Sequence, residues 1–239
     1  MPQEKAAALW RSIHDSLRDD ITAGRYAPGD RLPTESALAA RFGVNRHTVR
    51  RALATLAQAG TIRTRRGAGA FVAHRPADYP LGRRVRFHEA LRAAGRLPAR
   101  EILAIETRTA DAGEAAALGL GPGAQVHVCD GISQADGVPV ALFHSIFPAT
   151  RLPGLPEALL RLGSVTAALG EAGVHDYTRA STRLTATAAS PTQAAHLGLA
   201  PGAPLLRTVS VNVDPAGEPI EYGRTWFAGD RMTLTLTDG

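Results

Sequence analysis

Between Arg41 and Leu53 the chain reads RFGVNRHTVRRAL, which crowds Arg46, His47, Arg50 and Arg51 into six residues with no acid among them. Like charges one helical turn apart repel, and a solvated helix usually interleaves the two signs. An outside polyanion is the expected partner. Guanidinium groups fork onto phosphate oxygens and guanine edges, and Asn and Thr read bases or grip the backbone. Asn45, Arg46, His47, Thr48, Arg50 and Arg51 are therefore candidate contacts to double-stranded DNA.

Positioning those groups needs a helix with one apolar side. Val49, Leu53 and Leu56, with Ala52, recur at i, i+4 and i+7 and leave the basic residues on the opposite side. Asn45 is a strong N-cap, and Gly43 suits the left-handed position that ends a preceding helix. That preceding helix runs to Phe42, with Thr34 as its cap and Leu38 one turn before Phe42. A first helix carries Leu9, Ile13, Leu17 and Ile21 on one stripe and is broken by AGRYAPGD. Two helices across a tight Gly-containing turn make a helix-turn-helix. TIRTRRGAGAFVA then predicts two short strands around a Gly67–Gly69 turn, a basic wing in which Arg63, Arg65 and Arg66 can reach DNA.

The charge is placed unevenly. Residues 1–75 hold 13 Lys and Arg against 6 Asp and Glu, whereas residues 76–239 hold 14 against 16. A basic unit joined to a mildly acidic one points to a nucleic-acid module with an appended domain. HRPADYPLGRR, with two prolines and no apolar period, marks the boundary. The expected division is residues 1–74 for DNA binding, 75–84 as a linker, and 85–239 as the second domain. No apolar run approaches the roughly 18 residues of a membrane helix. The opening MPQEKAAALWRSIHDSL is amphipathic and holds acids, unlike a signal peptide. The single Cys129 fits a reducing compartment, so a cytoplasmic location without membrane association is expected.

In the larger domain, Phe87, Leu91 and Ala94 predict a short helix. REILAIETRT alternates Leu103, Ile105 and Thr107 against Ile102, Ala104 and Glu106, as a strand does. Residues 111–145 then parallel 190–225, with an offset of 79 that becomes 80 before the turn. Each copy opens on an N-cap (Asp111, Ser190) with Glu114 or Gln193 completing a capping box. Each continues through Leu-Gly-Leu and Pro-Gly into two strands around Asp136-Gly137 or Ala216-Gly217. Two such units are expected to pack about a pseudo-two-fold, with a small-molecule cleft between them. A nucleophile elbow, a phosphate-binding glycine loop and paired Cys-x-x-Cys motifs are absent, so no catalytic residue and no cofactor is assigned. His127 and Cys129 share a strand face with His144 nearby, but isolated core His and Cys are commoner than metal ligands, and no metal is assigned.

RLPTESALAARFGVNRHTVRRALATLAQAGTIRTRRGAGAFV resembles the winged helix-turn-helix of the GntR family of bacterial transcription regulators. The resemblance implies DNA contacts at Asn45, Arg46, Thr48 and Arg50 and, in the wing, at Arg66 and Gly67. Ser36 in the second helix is a further candidate DNA contact, and there the chain departs from family members, which often carry Arg. The remainder resembles the ligand-sensing (UTRA) domain of the HutC subfamily, and RPADYPLGRRVRFHEALRAAG narrows this to the regulators of phosphonate metabolism. The implied fold is α+β: an N-terminal winged helix-turn-helix, then a chorismate-lyase-like antiparallel sheet with flanking helices.

The same resemblance implies a homodimeric repressor on a palindromic operator. It also implies an effector site drawn from Ser133, His144, Ser145, Ser164, Arg179, Glu221, Tyr222 and Arg224. Arg179 and Arg224 suit a phosphonate or another anion, with serine hydroxyls adding hydrogen bonds. Relatives often have Arg-x-Arg where this chain reads Gly131-Ile132-Ser133, two cations fewer. Two rival readings are a same-family regulator sensing a sugar phosphate or carboxylate, and a chorismate-lyase-like enzyme tethered to DNA.

Overall fold

The computed structural model describes residues 2–65, 67–74, 76–84 and 86–236. The chain divides into two units, Met1–Arg75 and Pro76–Gly239. In the first, α1 (Pro2–Thr22), α2 (Glu35–Phe42) and α3 (Arg46–Gln58) precede the antiparallel strands β1 (Ile62–Arg65) and β2 (Gly69–Val72). The Thr34 hydroxyl accepts from the Ala37 amide at 3.2 Å, and Gly43 ends α2 at φ 63° and ψ 35°. Asn45 Oδ1 accepts from the Thr48 amide at 2.9 Å and starts α3.

Val49, Ala52, Leu53 and Leu56 pack on Ile13, Leu17, Leu38, Ile62 and Val72. The α1 stripe is shifted from the sequence expectation, because Leu9 is 46% exposed and Trp10 packs on the core in its place. A strict four-residue repeat drifts about 40° per step around a 3.6-residue helix, so it cannot hold one face for four turns.

In the second unit, β3 (Ala77–Pro80) and α4 (Phe87–Ala93) precede two related halves. The first half runs β4 (Pro98–Thr109), α5 (Ala112–Leu118), β5 (Gln125–Ala135) and β6 (Val138–Pro148). After α6 (Leu155–Leu162) and α7 (Val165–Glu171), the second runs β7 (Thr178–Ala188), α8 (Pro191–Leu197), β8 (Pro204–Val213) and β9 (Pro219–Ala228). They form one antiparallel sheet in the order β4-β5-β6-β9-β8-β7, the second half mirroring the first. His144 pairs directly with Arg224, its own repeat equivalent 80 residues on, so the pseudo-two-fold passes between them.

Both capping boxes form, and Gly119 and Gly198 end their helices in the left-handed region. The first hairpin turns on Asp136 (φ 51°) and Gly137 (φ 75°), the signs a two-residue type I′ turn requires. In the second, the Asp214 carboxylate accepts from the Ala216 and Glu218 amides and holds a longer turn.

One sheet face carries Val126, Val128, Ile146, Ile132 and Leu142 against Leu118 of α5 and Leu197 of α8. The other carries Cys129, Phe143 and Phe147 against Leu155, Leu159 and Leu169 of α6 and α7. Two expectations are corrected. The segment 75–84, expected as a linker, contains β3, which pairs in parallel with β10 (Met232–Thr235). Its Tyr79 is buried against Phe87 and Phe227, so a period-two pattern only four residues long carries a real strand. The alternation of β4 breaks at a bulge between Ile102 and Ala104, which leaves Leu103 41% exposed and turns both Ile102 and Ile105 to the core.

Candidate functional site

On α3, Arg46, His47, Arg50 and Arg51 are exposed opposite the buried stripe, as amphipathic spacing requires. Two of them already have partners within the unit. Arg51 lies over the Trp10 ring at 4.8 Å from its centroid. Arg50 is forked onto Glu35, the first residue of α2, with Nε donating to Oε1 at 3.1 Å and Nη2 to Oε2 at 2.7 Å. The acid missing from α3 is thus supplied across the turn. Asn45 is exposed, yet its Oδ1 is committed to the cap and also accepts from the Thr48 hydroxyl at 3.0 Å. Ser36 is exposed on the first turn of α2. Gly67 is exposed at φ 75°, a conformation that favours glycine. The Arg65 side chain and the whole of Arg66 lie outside the described residues.

The second unit holds a small pocket, about 60 Å³, on the sheet face that carries Phe143. Ser133, Ser145, Ser164, Arg179 and Glu221 line it, five of the eight effector-site candidates. His144, Tyr222 and Arg224 do not. Side chains alternate across a strand, so these three share parity with Leu142, Ile146 and Trp226 on the α5 and α8 face. There His144 Nδ1 lies 2.7 Å from Asp130 Oδ1, and Arg224 lies over the Tyr222 ring. His127 is on the other face, with its ring nitrogens at Thr107 Oγ1 (2.8 Å) and the Leu152 carbonyl (3.1 Å). Cys129 is buried in the core, and burial pushes its thiol up to about 12. The three therefore do not converge as metal ligands would.

Sequence reasoning missed Arg86, His88, Arg100, Thr166, Tyr177, Ser210 and Asn212, all of which line the pocket. Arg100 had a signal: it lies 79 residues before Arg179, at the repeat offset. It sits opposite Ser133, and Arg179 opposite Asn212. The Arg100 guanidinium rests over the Phe143 ring at 4.5 Å, and its Nε and Nη1 are buried with no hydrogen-bond partner among the described residues. Arg86 stacks on Tyr177 at 4.0 Å and donates from Nη2 to Asp176 at 3.3 Å, while its buried Nη1 has no such partner.

His88 Nε2 is likewise buried and unpartnered, and burial, reinforced by Arg100 and Arg92, pushes its pKa down to about 4. The one carboxylate lining the pocket among the described residues, Glu221, is already engaged. Ser145 Oγ donates to Oε1 at 2.7 Å and Asn212 Nδ2 to Oε2 at 2.6 Å. Arg86, Arg100 and Arg179 thus converge on a mostly polar-walled pocket, and buried N–H groups without partners, as on Arg86 and Arg100, are costly.

Comparison with known proteins agrees with both units. Residues 9–72 match the family model for bacterial regulatory proteins of the gntR family, and residues 93–233 match that of the UTRA domain. The chain is 40% identical over 235 residues to an uncharacterized HTH-type transcriptional regulator of Rhizobium meliloti (strain 1021), covering 98% of this chain and 96% of that one. It is 34% identical over 207 residues to the HTH-type transcriptional repressor PhnF of Mycolicibacterium smegmatis, covering 87% and 84%. The crystal structure of PhnF from Mycobacterium smegmatis superposes with a TM-score of 0.67 at 32% identity, covering 95% of this chain and 99% of that one. Fold, motif and similarity converge: the chain belongs to the GntR family of bacterial transcription regulators, with a C-terminal UTRA domain of the HutC type.

Proposed function

We propose that this protein is a dimeric repressor of phosphonate uptake and degradation genes, whose UTRA pocket takes a small phosphonate or phosphate-like dianion. The observation that carries the reading is the convergence of Arg86, Arg100 and Arg179 on one small pocket whose only lining carboxylate among the described residues is already hydrogen-bonded. Arg forks onto tetrahedral oxyanions, and the serine and threonine hydroxyls supply further hydrogen bonds. Size supports the same class. At 10–15 Å³ of such volume per water, 60 Å³ matches a few waters, or one tetrahedral anion with a short substituent.

DNA contacts are assigned to α3 and the wing, with two recognition helices meeting half-sites of a palindrome about one helical turn apart. Anion binding alters operator affinity only if it favours one arrangement of the dimer over another. The Ser145 hydroxyl donates to Glu221, whose other oxygen is held by Asn212, and we read this trio as part of the binding wall rather than as a nucleophile and its base. The test is a thermal-shift series with methylphosphonate, 2-aminoethylphosphonate, inorganic phosphate, sugar phosphates and dicarboxylates. A ligand at 100 times its Kd stabilises by about 2.7 kcal/mol. A phosphonate or phosphate response supports the reading. A response confined to sugar phosphates or dicarboxylates overturns it.

A further inference from the structure

We propose that Glu35 is a positioning residue for base readout: it holds the Arg50 guanidinium so that Nη1 and Nη2 face a guanine, and so sets the base preference at one operator position. The proposal rests on the reading of α3 as the recognition helix. A guanidinium has two faces able to make paired hydrogen bonds, one through Nε and Nη2, the other through Nη1 and Nη2. Glu35 occupies the first, with bonds of 3.1 and 2.7 Å, and Nη1 keeps no partner among the described residues. The face left open is a planar pair of donors, matching O6 and N7 of guanine in the major groove.

The pair does not earn its place by stability. Arg50 is 62% exposed and Glu35 36% exposed, and exposed ion pairs contribute little to folding. Orientation is the larger effect. A free arginine samples many rotamers, whereas one held by a carboxylate pays less entropy to make two further bonds. Glu35 itself is held at the first turn of α2, where the helix dipole favours an acid and Thr34 caps the end. The Arg50 hydrogen bonds, with Arg46 and His47 nearby, keep its carboxyl below the usual range, so it remains an anion at neutral pH. That anion also repels phosphate, which penalises docking of Arg50 on the backbone in a wrong register.

The test uses the full chain and a randomised duplex pool to select bound sequences, then measures affinity for the selected duplex and its single-base variants. The proteins are wild type, Arg50→Ala, Glu35→Gln and the double variant. Wild type is expected to prefer guanine at one position of each half-site, and Arg50→Ala to lose that preference. Glu35→Gln should cut the same preference about tenfold while affinity for unselected duplex holds or rises, since one negative charge is gone. The double variant should show no loss of preference beyond Arg50→Ala.

If Glu35→Gln keeps the full guanine preference, or weakens binding evenly at every position, the positioning role is overturned while Arg50 remains a reader. If Arg50→Ala leaves all preferences intact, the underlying reading of Arg50 fails first. An unchanged melting transition for Glu35→Gln separates these outcomes from misfolding.

Discussion

Arg100 and Arg179 lie 79 residues apart in the chain and occupy equivalent places in the two halves of one sheet. Each is on an edge strand, the first opposite Ser133 and the second opposite Asn212, and both line the same pocket. The duplicated helix-and-hairpin thus does more than double a core: it delivers two guanidinium groups to one cleft from opposite edges. Gly131-Ile132-Ser133 lacks the two arginines that the family resemblance leads one to expect there. The strand next to that tripeptide supplies a cation in Arg100, directly across from Ser133.

Removing either arginine should therefore act on anion binding rather than on folding. A charge-assisted hydrogen bond contributes about 1.5–3 kcal/mol, so Arg100→Ala or Arg179→Ala should each weaken phosphonate or phosphate binding roughly 10- to 100-fold. Isothermal titration of each variant provides the check. Wild-type affinity in both would remove the pair from the site.

Gly131 has no room for any side chain. A Cβ there would press into the Glu101 carbonyl oxygen on one side and the Phe143 ring on the other. Gly131→Ala should destabilise the protein by about 1–3 kcal/mol, the range for overpacking. Phe143→Leu in the same chain should recover only part of this, since the backbone carbonyl cannot yield. Urea unfolding of the single and double variants measures both effects.

Asn45 caps α3, and its proposed DNA contact can be separated from that role. Asn45→Ala loses the bond to the Thr48 amide and should cost about 1 kcal/mol of stability. Asp is an equally good N-cap, so Asn45→Asp should retain stability yet weaken operator binding by placing a negative charge against phosphate. Equal operator affinity for Asn45→Asp and wild type would take this residue out of the interface.

Glu114 provides an acid-sensitive contribution. The Arg108 fork, at 2.6 and 2.7 Å, with the Asp111 amide, holds its carboxyl at about 2, below the ordinary 4.5. A carboxyl with a lowered folded-state pKa stabilises above its unfolded value and loses that contribution as pH falls through the folded one. Glu114→Gln should therefore cost roughly 2–3 kcal/mol at neutral pH, a gap that narrows below about pH 4.5 and closes near pH 2. Unfolding of both proteins across that range tests the sign directly.

Local patterns were legible in the sequence. Asn45, Gly43 and Thr34 occupy the cap positions their side chains suit, the α3 stripe packs as its spacing requires, and the repeat reappears in the strand order. What escaped was settled at longer range. Glu35 meets Arg50 only because the helix-turn-helix folds α2 across α3, 15 residues away in sequence. His144, Tyr222 and Arg224 are one strand position from pocket-facing neighbours, and a single step in parity sends a side chain to the other face. Arg86 and His88 lie in RRVRFHEALRAAG, whose charges gave no hint of which would be buried beside Arg100.

The most direct test of the central claim is operator affinity of the full chain with and without methylphosphonate, 2-aminoethylphosphonate or phosphate, in wild type and in Arg100→Ala/Arg179→Ala. The account predicts that at least one of these anions shifts wild-type affinity about tenfold or more, and that the double variant binds the same operator but no longer responds. An operator affinity indifferent to all three anions would contradict it, as would a response that survives loss of both arginines.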